Sequence, residues 1–168
     1  MTRWKSSTGV KLRVAILTVS DRRAAGEAED VAGPALRRFV EERGAEVIEV
    51  AVVEDEVDAI RARLVRASDV LGADVLLTTG GTGLGPRDVT PEATEGVLDR
   101  RAPGIAEALR AGSLAHTRTA MLSRGTAGLR GRTLIINLPG RPQGAVECLE
   151  ILWPVLPHAL EMIAGRGH

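Results

Sequence analysis

At 168 residues, with 44% hydrophobic and 26% charged residues, the chain has the size and composition of one folded domain and excludes a disordered or collagen-like protein. Lysine plus arginine and aspartate plus glutamate each total 22, and aromatic residues make up 2%, so no global basic field or stacking platform for nucleic acid is available. The single cysteine, Cys148, excludes an intrachain disulfide and a Cys-rich zinc site, and His116, His158 and His168 are scattered without metal-ligand spacing.

Residues 1–11 read as a flexible extension of a single domain spanning 1–168. The following run, "RVAILTV" at 13–19, faintly imitates a signal peptide, but it is short and ends in Ser20-Asp21-Arg22-Arg23 instead of a small-residue cleavage site. A buried strand is the better reading. No apolar run is long enough for a membrane, and a cytoplasmic location is expected.

Next comes "PALRRFVEERG" (34–44), a helix with proline in its first turn and glycine at its end. "EVIEVAVV" (46–53) is a second strand. "VDAIRARLVRASDVLG" (57–72) carries Val57, Ile60, Leu64, Val65 and Leu71 on a helical period, with Asp55 or Glu56 near its start. "DVLLTT" (74–79) is a third strand, "TPEATEGVLDR" and "GIAEALRAGSL" are two shorter helices, and Thr90 precedes Pro91 as an N-cap would. A glycine-rich hairpin region is expected near 119–132, then a strand "TLIINL" (133–138) and a closing helical segment broken near Pro154 and Pro157. Near-continuous apolar strands alternating with helices predict an α/β protein, a three-layer α/β/α sandwich around a mostly parallel central sheet.

In such sheets ligands bind beyond the carboxyl ends of the strands. The polar clusters "SDRRAAGEAED", "EDEVD", "TTGGTGLGPRDVTPEAT" and "NLPGRPQ" each follow a predicted strand. In the third, Gly80, Gly81, Gly83 and Gly85 allow close backbone approach and a cradle of N–H groups for an anion. Neither common nucleotide fingerprint fits. A dinucleotide motif from Gly81 and Gly83 needs glycine where Pro86 stands, and a P-loop needs Gly-Lys-Ser/Thr where the chain reads Gly85-Pro86-Arg87.

Asp55 and Asp88 are the candidate functional carboxylates. Each also has a plain structural role open to it, Asp55 as a helix cap and Asp88 in an Asx turn. Two acids on neighbouring strand ends beside a phosphate-cradling loop suggest magnesium, which binds one or two carboxylates together with substrate phosphates. Ser20, Asp21 and Arg22 follow the first strand, where Arg22 or Arg23 can neutralise a phosphate. In "NLPGRP", Asn137 can donate and accept, Pro139 and Gly140 form the turn, and Pro142 opens a helix whose N-terminus attracts anions. Ser123 and Arg124 add a further possible anion contact, and Cys148 is expected to pack within the closing helix.

The stretches "VSDRRAAGEAEDVAGPAL", "TTGGTGLGPRDVTPEAT", "AMLSRGTAG" and "LIINLPGRPQGAVECLE" together resemble, in the same order, the molybdopterin-binding family of molybdenum-cofactor biosynthesis in its short, single-domain MogA/MoaB branch. The resemblance runs from about Leu12 to Ile163. It implies an α/β sandwich that assembles as a homotrimer and binds molybdopterin, a pterin dithiolene with a terminal phosphate. In MogA-like members that phosphate attacks the α-phosphorus of ATP with magnesium assisting, giving adenylyl-molybdopterin and pyrophosphate, and the product passes to a molybdate-insertion protein. The resemblance assigns Asp55 and Asp88 the catalytic and magnesium roles, and Thr79, Gly80, Gly81, Thr82 and Gly83 the platform for pterin phosphate and nucleotide. Ser20, Ser123, Asn137 and Gly140 fall on matching site motifs. Two positions depart from it: Ala28 stands where relatives often carry Tyr, and Arg141 where a smaller residue or Lys is frequent. A non-catalytic molybdopterin-binding or carrier protein of the MoaB type is the alternative function. Magnesium-ATP binding in the presence of molybdopterin separates the two.

Overall fold

In the computed structural model, which describes residues 9–166, β1 (Arg13–Val19) shows why the apolar runs are unbroken. Val14 and Ile16 join one hydrophobic core while Ala15, Leu17 and Val19 join a second on the opposite face. Strand side chains alternate between faces, so a strand covered on both sides must be apolar at every position. The same division recurs in β3 (Val75–Thr79), with Val75 and Leu77 on one face and Leu76 on the other. In β6 (Thr133–Leu138) Leu134, Ile136 and Leu138 face the first core and Ile135 the second.

The remaining elements are α1 (Asp21–Ala24), α2 (Ala32–Glu42), β2 (Glu46–Val53), α3 (Val57–Val65), α4 (Thr90–Glu95), β4 (Arg100–Arg101), α5 (Pro103–Ser113), β5 (Ala127–Arg130), α6 (Pro142–Leu152) and α7 (Leu156–Ile163). The sheet order is β2-β1-β3-β6-β5-β4, parallel through the first four, with β5 antiparallel to β6 and to β4. Buried residues of α2 and α6, with Leu109 of α5 and Leu156 of α7, build the first core, while Ile60 and Leu64 of α3 and Ala93 of α4 build the second. The expected three-layer α/β/α sandwich is therefore present. Because β2 lies on one side of β1 and β3 on the other, the winding direction reverses between β1 and β3, and a crevice opens beyond their carboxyl ends.

Local differences from the expected elements have physical causes. The hairpin lies at 127–138, turning at Gly131 with φ of +55°, so the expected fourth strand is its second arm. The segment before it holds a short 3₁₀ helix, Arg118–Leu122. The long helix expected over 57–72 ends as α3 at Val65 and continues as a π-helical turn, Arg66–Val70. Thr90 is the first residue of α4 and not its cap: its hydroxyl donates to Gly80 O at 2.9 Å and its N–H to Gly81 O at 3.1 Å. The closing segment divides into α6, a 3₁₀ turn Trp153–Val155 and α7, as its prolines predict. The extension expected at 1–11 lies largely outside the described residues. Among the described residues no helix is long and apolar enough to cross a membrane.

Candidate active site

Register places Thr18 beside Thr79, Val19 beside Val53 and Thr79 beside Leu138, so the four polar clusters meet on one rim. Two adjoining cavities open there. A polar one of about 390 Å³ is lined by Ser20, Asp55, Asp88 and the loop from Gly80 to Gly83, with Arg23, Gly140 and Arg141. The other, about 330 Å³, has Ala106, Leu109 and Leu122 in its wall, together with Ser123, Asn137, Pro139 and Cys148. Thr82, Gly83 and Arg141 border both.

The glycine loop is held by its carbonyls. Gly80 O and Gly81 O accept from Thr90, Thr82 O accepts from Arg124 N–H at 2.8 Å, and Gly83 O accepts from Arg124 Nε at 2.8 Å. The N–H groups of Gly81, Thr82 and Gly83 have no protein partner among the described residues. Donors left free along a cavity wall whose acceptors are all satisfied form an anion cradle. Glycine is required at two points. At Gly80, φ is +101° and a Cβ would sit 2.4 Å from Val19 O; at Gly81, φ is +65° and a Cβ would sit 2.3 Å from Thr90 Oγ1.

Asp55 follows β2 and faces the loop, its Oδ1 3.1 Å from where a Gly81 Cβ would be. Its Oδ2 accepts from Asp21 N–H at 2.8 Å, and its own N–H donates to Asp21 Oδ1 at 2.9 Å. Burial pushes the Asp55 carboxyl above the ordinary carboxylate range, and the negative charges of Asp21 and Asp88 add to this; the Asp21–Asp55 backbone hydrogen bond and the Arg87 charge oppose it. Arg87 grips Asp21 through Nε and Nη2, each at 3.1 Å, and reaches Glu56 at 2.8 Å, holding the Asp21 carboxyl below its usual value. Asp88 Oδ2 accepts from Gly85 N–H at 2.9 Å, which closes its loop, while its other oxygen has no protein partner. Both acids thus keep an oxygen free beside the cradle.

Asn137 lines the second cavity and is held from three sides. Its amide donates to Thr78 Oγ1 and Thr94 Oγ1, each at 2.9 Å, and its oxygen accepts from Thr126 N–H at 3.2 Å. At the back of the second cavity Cys148 is buried in the core, with Ser113 Oγ 3.5 Å from its sulfur, and burial raises its thiol pKa.

The family described as "Probable molybdopterin binding domain" matches residues 15–158. The chain belongs to the molybdopterin-binding domain family. It is 41% identical over 157 residues to the molybdopterin adenylyltransferase of Helicobacter pylori (strain ATCC 700392 / 26695), covering 92% of this chain and 89% of that one. The crystal structure of the molybdopterin biosynthesis enzyme MoaB from Thermus thermophilus superposes with a TM-score of 0.85 at 51% identity, over 92% of this chain and 97% of that one. The tungsten cofactor synthesizing protein MoaB from Pyrococcus furiosus gives 0.83 at 32% identity, over 91% and 97%.

In this molybdopterin-binding domain, Ser20, Asp55, Gly80, Gly81, Asp88 and Gly140 line the polar cavity, Ser123, Asn137 and Pro139 the other, and Thr82 and Gly83 both. Four sequence candidates line neither. Asp21 works through Asp55. Arg22 is exposed on α1, because a helix turns successive residues apart and brings Arg23 to the rim instead. Thr79 is fully buried and donates to Pro139 O at 2.7 Å, tying two strand ends together. Arg124 is a clamp and not an anion contact, its guanidinium committed to Gly83 O, to Asp88 O at 2.5 Å and to Glu92. Arg87, Thr94, the hold of Thr90 on the glycine loop and the apolar cavity escaped sequence reasoning. Arg87 stands within the quoted "PRDVTP" run, and its position before the candidate acid was the available signal.

Proposed function

We propose that this chain is a molybdopterin adenylyltransferase of molybdenum-cofactor biosynthesis, with molybdopterin and ATP meeting across the two adjoining cavities. The observation that carries the reading is the free N–H row of Gly81, Thr82 and Gly83 beside Asp55 and Asp88, with an apolar cavity opening from the same loop. A phosphate-rich reaction centre next to an apolar pocket suits two substrates that each join a flat ring system to phosphate.

The terminal phosphate of molybdopterin attacks the α-phosphorus of ATP, the bond to the β-phosphate oxygen breaks, and pyrophosphate leaves with the electron pair. The chain supplies no nucleophile and needs none, since such transfer depends chiefly on positioning and on neutralising charge. The loop N–H groups receive phosphate oxygens, Arg23 adds positive charge at the rim, and Asn137, held by its threonines, stiffens the wall of the apolar cavity. The family relationship supports this reading, since a relative 41% identical is named a molybdopterin adenylyltransferase.

Magnesium is part of the proposal. Asp55 and Asp88 are the residues that would hold it, where it would neutralise phosphate charge. Two acids with free oxygens, one of them disfavoured as an anion by burial and by its acidic neighbours, fit a cation. Among the described residues no three His, Cys, Asp or Glu side chains are arranged to hold a metal ion by themselves, so the remaining ligands of a bound ion would be substrate phosphates and water. A homotrimer, a cytoplasmic location and hand-over to a molybdate-insertion protein complete the proposed setting.

The test is single-turnover release of pyrophosphate from ATP by purified protein with molybdopterin and magnesium, with Asp88→Asn alongside. Release by wild type and its loss by two or more orders of magnitude in the variant, with the fold and molybdopterin binding retained, is the expected result. Tight molybdopterin binding without any release would make the protein a carrier.

A further inference from the structure

Arg141 borders both cavities. It sits between Gly140, whose Cβ position lies 3.2 Å from Gly80 Cα, and Pro142, the first residue of α6. Its backbone carbonyl accepts from Ala145 N–H at 2.9 Å, which anchors it to the helix start, but its guanidinium has no hydrogen bond or ion pair with any described residue. The other cavity-lining arginines are tethered. Arg23 faces only the polar cavity and donates through Nε to Glu29 O at 3.1 Å. Arg110 faces only the apolar cavity and donates through Nη1 to Ser123 O at 3.3 Å and Gly125 O at 2.8 Å.

An uncommitted guanidinium on an exposed residue that borders both cavities is suited to negative charge passing between them, because its planar fork matches phosphate oxygens in pairs. We propose that Arg141 is a positioning and specificity residue that grips the phosphate linkage where it crosses from one cavity to the other. The inference rests on the adenylyltransferase reading above. Arg141 would hold the attacking phosphate of one substrate in line with the α-phosphate of the other, and it would then hold the diphosphate bridge of the product. It would favour phosphorylated ligands over their dephosphorylated forms, whichever ring system occupies either cavity.

The experiment compares AMP with adenosine by ligand-observed NMR titration of wild type, Arg141→Gln and Arg141→Lys, with KM and kcat for pyrophosphate release measured on the same preparations. Arg141 makes no side-chain cap bond to α6, so unchanged melting temperatures are expected and serve as the check on folding. The AMP-over-adenosine preference should fall about tenfold in Arg141→Gln, the size of one charge-assisted hydrogen bond, with adenosine binding unaltered and Lys restoring part of the loss. KM should rise by a similar factor. An unchanged preference overturns the inference, as does an equal loss for AMP and adenosine, which would mark a change of cavity shape. Wild-type turnover judges the adenylyltransferase reading separately: an inactive wild type removes that reading, whereas an active wild type with an indifferent Arg141→Gln removes only Arg141.

Discussion

Asp21 and Asp55 clasp one another across two strand ends: each backbone N–H donates to the other's carboxylate, at 2.8 and 2.9 Å. Thirty-four residues separate them in sequence. The clasp fixes one Asp55 oxygen and leaves the other free toward the glycine loop. Asp21→Ala keeps the backbone N–H that holds Asp55 Oδ2 but removes the acceptor of Asp55 N–H and the partner of Arg87, so kcat should fall by about 10- to 100-fold, the cost of letting a reacting-site group drift by about 1 Å. Asp21→Asn, whose side-chain oxygen can still accept from Asp55 N–H, should keep most of the activity. Equal losses in the two variants would show that the Asp21 charge matters and its clasp does not.

Burial raises the Asp55 pKa, and the sign of its consequences is definite. A carboxyl with a higher pKa in the folded than in the unfolded protein takes up a proton on folding between those values. The cost of its buried charge is thus fully present above the folded pKa and is relieved as pH falls through it. Asp55→Asn should melt higher than wild type at neutral pH, and the gap should close in the acidic range above the unfolded value. Melting curves without magnesium between about pH 4 and 8 check this.

Gly81→Ala and Gly26→Ala separate backbone strain from collision. Both glycines have positive φ, +65° and +74°, but nothing lies within 4 Å of a Cβ at Gly26, whereas at Gly81 Thr90 Oγ1 and Asp55 Oδ1 lie at 2.3 and 3.1 Å. Gly26→Ala should cost about 1 kcal/mol and leave activity intact. Gly81→Ala should cost more and lower kcat at least tenfold, because the loop must move off Thr90. Denaturant unfolding and turnover read the difference.

Arg124 ties Thr82, Gly83, Asp88 and Glu92 to one another, and its side-chain hydrogen bond keeps the Glu92 carboxyl below its usual range. Arg124→Ala should destabilise the fold by about 1–3 kcal/mol, the scale of orphaned polar groups. Amide exchange should accelerate in residues 80–90 ahead of the rest of the sheet. Acceleration spread evenly over all strands would mean that Arg124 holds the fold as a whole and not the loop.

Much of this was legible in the residues because its causes are local. Unbroken runs such as "RVAILTV" and "TLIINL" announce strands covered on both faces, and a sheet of such strands places its polar loops at one rim. The glycines before Pro86-Arg87-Asp88 announce a backbone that must come close to a ligand, and Asp55 and Asp88 could be singled out by their places after strands. Tertiary structure decided the rest. Only the pairing of β1 with β2 brings Asp21 to Asp55, and only the pairing of β6 with β3 and β5 brings Arg124 to the carbonyls of the loop and Arg141 to the border of both cavities. The apolar cavity draws Leu109, Leu122, Asn137 and Cys148 from four separate segments. Sequence periodicity records which face of an element is buried; it holds no record of which distant element covers that face, and a cavity is made from those pairings.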